Sequence, residues 1–236
     1  MNGWFMVLMG FAAGGWSLHA ASTTLIGGST GNGDFEADTS STNKRTFSDT
    51  PNWTNLSSTG LGQSEVATRN DKNLSGSSRN AVMNINGKRI FGNDPGYTIQ
   101  SGDVFSLSYQ WRDAFLWDDT ADQVRVDLFT TSNDTLTGTQ TILYTLYSGL
   151  STSNETWETV TANRFYTAGG GAVGKKLFIQ FQGWAGNSSD TEGYARLDNF
   201  TLTVVPEPDP VWLLAALSGA GVLVRRRRRR VPVSAR

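Results

Sequence analysis

Between residues 22 and 204 the hydrophobic positions of the chain recur every second residue, in short runs broken by Gly, Asn, Asp and Ser. That is the period of a strand, whose side chains alternate between two faces, and not the 3.6-residue period of a helix. The clearest run is Val104 to Arg112, with Phe105, Leu107, Tyr109 and Trp111 on one face and Ser106, Ser108 and Gln110 on the other. Gln123 to Thr130 sets Val124, Val126 and Leu128 against Arg125 and Asp127. Lys175 to Trp184 sets Leu177, Ile179 and Phe181 against Gln180 and Gln182. Weaker strands are expected at Thr24–Ile26, Trp53–Leu56, Ala81–Ile85, Gly96–Ile99, Thr139–Tyr147, Trp157–Asn163 and Tyr194–Val205. The polar, Gly- and Ser-rich stretch from Ser57 to Ser78 reads as a long loop. About ten short strands, each with one wet face, predict an all-β domain over residues 22–204, a sandwich of antiparallel strands.

The pattern changes at both ends. Met1 to Ala21 carries the apolar run Trp4-Phe5-Met6-Val7-Leu8-Met9 and then small residues around His19-Ala20-Ala21. This is the layout of a secretory signal peptide, with cleavage expected after Ala20 or Ala21. After the last strand come the turn at residues 205–210, an uncharged run from Val211 to Val224, and the basic tail 225–236 with six consecutive arginines, Arg225, Arg226, Arg227, Arg228, Arg229 and Arg230. The apolar run is expected to be a transmembrane helix. Its fourteen residues reach about 21 Å, short of a hydrocarbon core of about 30 Å. Snorkelling arginines or local bilayer thinning would reconcile the two lengths. The arginine block should stay cytoplasmic and keep the preceding chain outside.

Composition narrows the chemistry. The full chain carries a formal charge of −1, but residues 21–204 hold 13 Lys and Arg against 19 Asp and Glu, about −6. An acidic surface argues against nucleic acid as a partner, because phosphate binding needs clustered cations. The pairs Lys44-Arg45, Lys88-Arg89 and Lys175-Lys176 read as ordinary solvated positions. With no cysteine, thiol catalysis and Cys-ligated zinc are excluded. The single histidine, His19, sits in the expected signal peptide, so the mature domain has no imidazole for a triad or a zinc site. Carboxylate-pair glycoside hydrolysis survives that test. Asp118, Asp119, Asp122, Glu155 and Glu158 are its candidates, without a defining spacing, and the expectation is a protein that is not an enzyme.

Pro206-Glu207-Pro208, a short apolar helix and a terminal arginine cluster together resemble the PEP-CTERM sorting signal of bacterial exported proteins, over residues 205–230. The resemblance implies a hold in the inner membrane until an exosortase processes the chain near Pro206, Glu207 and Pro208. The six residues after the arginines depart from that pattern.

A second resemblance joins the two ends of the domain. Gly31-Asn32-Gly33-Asp34-Phe35-Glu36 near the start and Ala195-Arg196-Leu197-Asp198-Asn199-Phe200-Thr201-Leu202 near the end are similar to galactose-binding-like jelly rolls, which include many carbohydrate-binding modules. In those folds the first and last strands lie close together, and an early Glu and a late Asp often hold a structural Ca²⁺. The resemblance implies jelly-roll wiring and a calcium site at Glu36 and Asp198, assisted by Asn32 and Asp34. The alternative is that the aspartates serve turns while Glu36 is simply exposed. Calcium takes six to eight oxygen ligands, which suits such a set.

Eight tryptophans raise the question of sugar stacking. Trp111, Trp157 and Trp184 fall on expected strands; Trp117, in a turn, and Trp184, ahead of Ala185-Gly186-Asn187, are the candidates for exposure and ligand contact. The reading is an exported envelope or matrix protein with a glycan-binding sandwich, its partners an exosortase, the inner membrane and extracellular polysaccharide. The alternatives are a secreted carboxylate-pair hydrolase and a structural, adhesin-like domain without a ligand.

Overall fold

The computed structural model describes residues 21–37, 44–57, 67–70, 79–85, 89–115, 117, 121–148, 156–185 and 193–206. Nearly all regular structure in them is strand, arranged as two antiparallel sheets. One has the order β10-β7-β12-β5-β4-β2, with β1 also on β12. Its strands are β1 (Thr23–Ile26), β2 (Lys44–Arg45), β4 (Thr68–Asn70), β5 (Arg79–Asn84), β7 (Val104–Phe115), β10 (Glu158–Thr167) and β12 (Tyr194–Val205). The other has the order β3-β6-β11-β8-β9, from β3 (Thr54–Asn55), β6 (Phe91–Asn93), β8 (Gln123–Thr131), β9 (Gln140–Ser148) and β11 (Phe178–Trp184).

Alternation explains the layering. Phe105, Leu107, Tyr109 and Trp111 of β7 and Leu197, Phe200 and Leu202 of β12 are buried in the same hydrophobic cluster as Val124, Val126 and Leu128 of β8 and Ile179 and Phe181 of β11. Apolar faces of both sheets therefore share one core, which makes a β-sandwich. The Tyr109 hydroxyl pairs with the Ser148 hydroxyl of β9, a polar tie from one sheet to the other.

The first and last strands do pair: β1 runs antiparallel to β12, Thr23 opposite Val204. The loop after β1 is then carried back across the end of the sandwich. Phe35 and Asn32 hold left-handed backbone angles, φ 57° and 56°, at a cost of about 1–2 kcal/mol per residue. Phe35 packs with Trp53, Phe91 and Phe181 at ring separations of 5.4 to 6.2 Å. Burying one such side chain contributes about 1.5–3 kcal/mol, which offsets the strain at Phe35 itself.

Two expectations are corrected. Gly96–Ile99 is not a strand, making only the bridge Thr98–Lys176; the strand is Phe91–Asn93, ended by Pro95 and the positive φ of Gly96. Ser57–Ser78 is not wholly loop, because Thr68–Asn70 pairs with β5 and with β2. The expected signal peptide at 1–21 except its last residue, Ala21, and Glu207, Pro208, the apolar run and Arg225 to Arg230, lie outside the described residues. Among the described residues no helix is long and apolar enough to cross a membrane. Pro206 follows the last residue of β12 directly.

Candidate functional site

The outer face of the five-stranded sheet carries the residues that alternate with its core. Along β11 these are Gln180, Gln182 and Trp184, and along β8 they are Arg125 and Asp127. Pairing sets Arg125 between Gln182 and Tyr147, and Asp127 between Gln180 and Thr145. Directly opposite residues share a face, so register alone assembles the site.

At one end the Arg125 guanidinium lies 4.7 Å from the Trp184 ring centroid and 5.9 Å from that of Tyr147. The two rings are 6.1 Å apart and tilted by 60°. Trp184 is 38% exposed and Tyr147 46%, large values for aromatic side chains on a sheet. They form an apolar step stiffened by the cation between them.

A polar ladder runs on from the step. Arg125 Nε donates to Asp127 Oδ1 at 3.0 Å, as does the Thr145 hydroxyl at 2.6 Å. Gln180 Nε2 donates to Asp127 Oδ2 at 2.8 Å, and Gln140 Nε2 donates to Gln180 Oε1 at 3.0 Å. Asp127 is fully buried and accepts three donors, so it fixes the rotamers of the residues around it. Past Gln140 and Gln180 the face drops into a groove of about 400 Å³, walled by Asn55, Leu56, Ile90 and Leu136. Leu56 can lie over β6 because Gly92 has no side chain: a Cβ there would come within 2.4 Å of it. From Gln180 to Trp184 the strand advances about 14 Å, room for more than one sugar ring.

Trp184 is thus exposed as expected, and Trp117 is not. Trp117 is 2% exposed and packs at 6.1 Å from Trp111 inside the core. Trp157 lies just ahead of β10, half-buried, under the Arg112 guanidinium. Of the candidate carboxylates, Asp122 is buried and Glu158 sits on β10 opposite Trp111, while Asp118, Asp119 and Glu155 lie outside the described residues. Arg125, Asp127 and the glutamines are legible in the sequence as the polar side of their strands, but in the structure Asp127, Gln180 and Gln182 are buried; the register that brings them beside Trp184 is not legible there.

The other expected site lies at the junction of the early loop with β12. Gly33 accepts from Phe200 N–H at 2.8 Å, and Glu36 Oε1 accepts from Arg79 N–H of β5. Between those two contacts β12 bulges at Asp198 and Asn199, Asn199 at φ 50°. Asp198 Oδ1 accepts from Asn199 N–H at 2.6 Å, and Asp34 Oδ1 from Glu36 N–H at 3.3 Å. Loop and bulge are therefore brought together. Asn32 acts as a staple: its amide donates to Pro51 O and accepts from Ala37 N–H, and its carbonyl takes the Trp53 indole. Among the described residues no three Asp, Glu, His or Cys side chains group as metal ligands, so a cation here would draw on the Glu36 and Asp198 carboxylates and on backbone carbonyls.

No family model and no curated protein matches the chain. Solved structures do. An apo-form cyclase from Fischerella sp. aligns at a TM-score of 0.54 with 14% identity, over 80% of this chain and 98% of that one. That likeness shows a shared β-sandwich fold, and at such identity nothing of a shared reaction. A CBM22 xylan-binding domain from Paenibacillus barcinonensis aligns at 0.46 with 12% identity, over 80% of this chain and 99% of that one. A CBM27 module from Caldicellulosiruptor saccharolyticus, solved with mannohexaose, aligns at 0.37 with 12% identity, over 70% of this chain and 97% of that one.

Proposed function

We propose that this is an exported cell-envelope or extracellular-matrix protein whose domain, wired as a jelly roll, binds an uncharged glycan on the outer face of the five-stranded sheet. The observation that carries this is the continuity of the Trp184–Arg125–Tyr147 step with the Asp127–Gln180–Gln140 ladder. Sugar recognition needs an apolar surface for the ring face and fixed donors and acceptors for the hydroxyls. The Arg125–Asp127 pair cancels its own charge, so the face suits a neutral chain. Consecutive strands that switch sheets, β6 to β7 and β11 to β12, support the jelly-roll wiring. The role is binding, without chemistry on the glycan.

Export and sorting rest on the sequence of the two ends. The signal-peptide layout would deliver the domain outside, and Pro206, Glu207 and Pro208 follow β12 directly in the chain, ahead of the apolar run and Arg225–Arg230. An exosortase would process the chain there, from the inner membrane. A calcium ion at Glu36 and Asp198, with Asp34 nearby, would pin the early loop to the β12 bulge; unfolding with Ca²⁺ and with chelator should then differ, and an unchanged midpoint removes the ion.

The glycan reading is tested by affinity electrophoresis of the full chain through gels carrying soluble xylan, mannan or mixed-linkage glucan. Retardation by one of them, lost in Trp184→Ala, is expected. Free migration through all uncharged polysaccharides would sink the reading.

A further inference from the structure

The outer face of the other sheet has a different chemistry. A groove of about 470 Å³ opens there, lined by Lys44 of β2, Arg69 of β4, Arg89 ahead of β6, and Tyr194 and Arg196 of β12, over a floor of Val82 and Ala114. Four of the 13 cations of a domain carrying about −6 are on this one groove, and no carboxylate is among its described lining residues. They come from positions 44, 69, 89 and 196, brought together only by strand order.

Their placement runs against what a sheet prefers. Lys44 stands directly opposite Arg69, and Arg196 directly opposite Arg112 of β7. Like charges directly across strands destabilise a sheet. The guanidinia are also held in place from below. Arg196 Nη1 donates to Asn80 Oδ1 at 3.0 Å. Arg89 lies 5.3 Å from the centre of the Tyr194 ring, and is itself 7% exposed. Such forks match a carboxylate with two parallel hydrogen bonds.

We propose that this groove binds the carboxylate of an acidic sugar, so that the domain takes a polyuronate on this face. Val82, Ala114 and Tyr194 offer the ring an apolar floor while the Arg69, Arg89 and Arg196 side chains and Lys44 take the charge. The rest of the domain is acidic and repels an extended, densely charged polyanion such as nucleic acid or an anionic bilayer. A polyuronate differs in alternating each carboxylate with an uncharged ring face, which the apolar floor of Val82, Ala114 and Tyr194 can take beside the cations. The site is independent of the glycan face on the opposite sheet.

The test is affinity electrophoresis of the full chain, with Arg225 to Arg230 changed to Gln so that the tail does not itself hold the polyanion, through polygalacturonate at low and at physiological salt. Lys44→Gln/Arg69→Gln changes two exposed positions and should fold; Arg89→Gln probes the buried cation. Retardation by polygalacturonate that weakens with salt, falls about tenfold in each variant and is unchanged in Trp184→Ala is expected. No retardation at low salt would overturn the proposal, as would retardation untouched by the variants. Equal retention by single-stranded DNA or by phosphatidylglycerol vesicles would also overturn it, replacing a sugar site with a general polyanion surface.

Discussion

The two outer faces of the sandwich use the same strand alternation to hold cations in opposite ways. On the five-stranded sheet the Arg125 guanidinium is stacked between Trp184 and Tyr147 and tied to the buried Asp127 carboxylate. Its cross-strand neighbours are Gln182 and an aromatic ring. On the seven-stranded sheet Arg196 faces Arg112, and Lys44 faces Arg69. The first arrangement spends its charge inside the protein and leaves a rigid, neutral surface. The second concentrates positive charge over one groove. Neighbours across the strands, more than residue type, decide what each face can recognise.

The largest way to break this contrast is at Asp127. Replacing it with Ala leaves the Arg125, Thr145 and Gln180 donors without their shared acceptor. Breaking a buried charged cluster costs about 3 kcal/mol, so the urea midpoint of Asp127→Ala should fall clearly and uncharged-glycan binding should vanish. Polygalacturonate binding by the fraction still folded should persist. Next in size is Trp184→Ala, expected to weaken uncharged-glycan binding at least tenfold, about 1.4 kcal/mol, with the unfolding midpoint nearly unchanged because the ring is already exposed. A drop in polygalacturonate binding of the same size would mean that the two faces are not separate.

A smaller effect separates the faces by salt. Surface charges more than about 8 Å apart are screened at physiological ionic strength, so raising salt should weaken the acidic-sugar interaction several-fold and leave the uncharged glycan's within twofold. Equal salt dependence on both faces would erase the distinction.

The smallest effect is one the faces share. Burial pushes the Tyr109 phenol upward, against a lesser opposing pull from its Ser148 hydrogen bond. Burial, and then the hydrogen bond to Asp103, does the same to Tyr97, and burial to Tyr166. A phenol whose folded pKa lies above its unfolded one stabilises the fold fully below the ordinary value near 10 and loses that contribution as pH rises past it. Stability should therefore be flat from neutral pH to about 9 and decline above about 10, with both binding activities lost together. A decline beginning near pH 8 would point to some other group.

Alternation made most of the fold legible. Val104 to Trp111 and Leu177 to Phe181 announced their inner faces, because a core strand cannot hide its period. Short strands escaped: Lys44–Arg45, Thr68–Asn70 and Phe91–Asn93 are too brief to show two cycles and exist through their neighbours' hydrogen bonds. The polar turn around Trp117 predicts exposure, but the chain folds it inward onto Trp111. Trp184 is legible because it continues the polar alternation of Gln180 and Gln182, although those two glutamines are themselves buried. Its partners are not, since the register that brings Arg125 and Tyr147 beside it joins residues far apart in the chain. Arg45 and Arg89, whose paired cations predict solvated positions, are buried in the structure.

The proposed glycan face, on the outside of the five-stranded sheet, should act separately from the basic groove on the other sheet. The most direct measurement is a two-ligand titration of the full chain, adding the retarding uncharged polysaccharide to protein already saturated with polygalacturonate. The second ligand is expected to bind with its affinity unchanged within twofold, and Trp184→Ala to remove this second binding alone. Displacement of the polyuronate, or uncharged-glycan binding that survives Trp184→Ala, would contradict that separation.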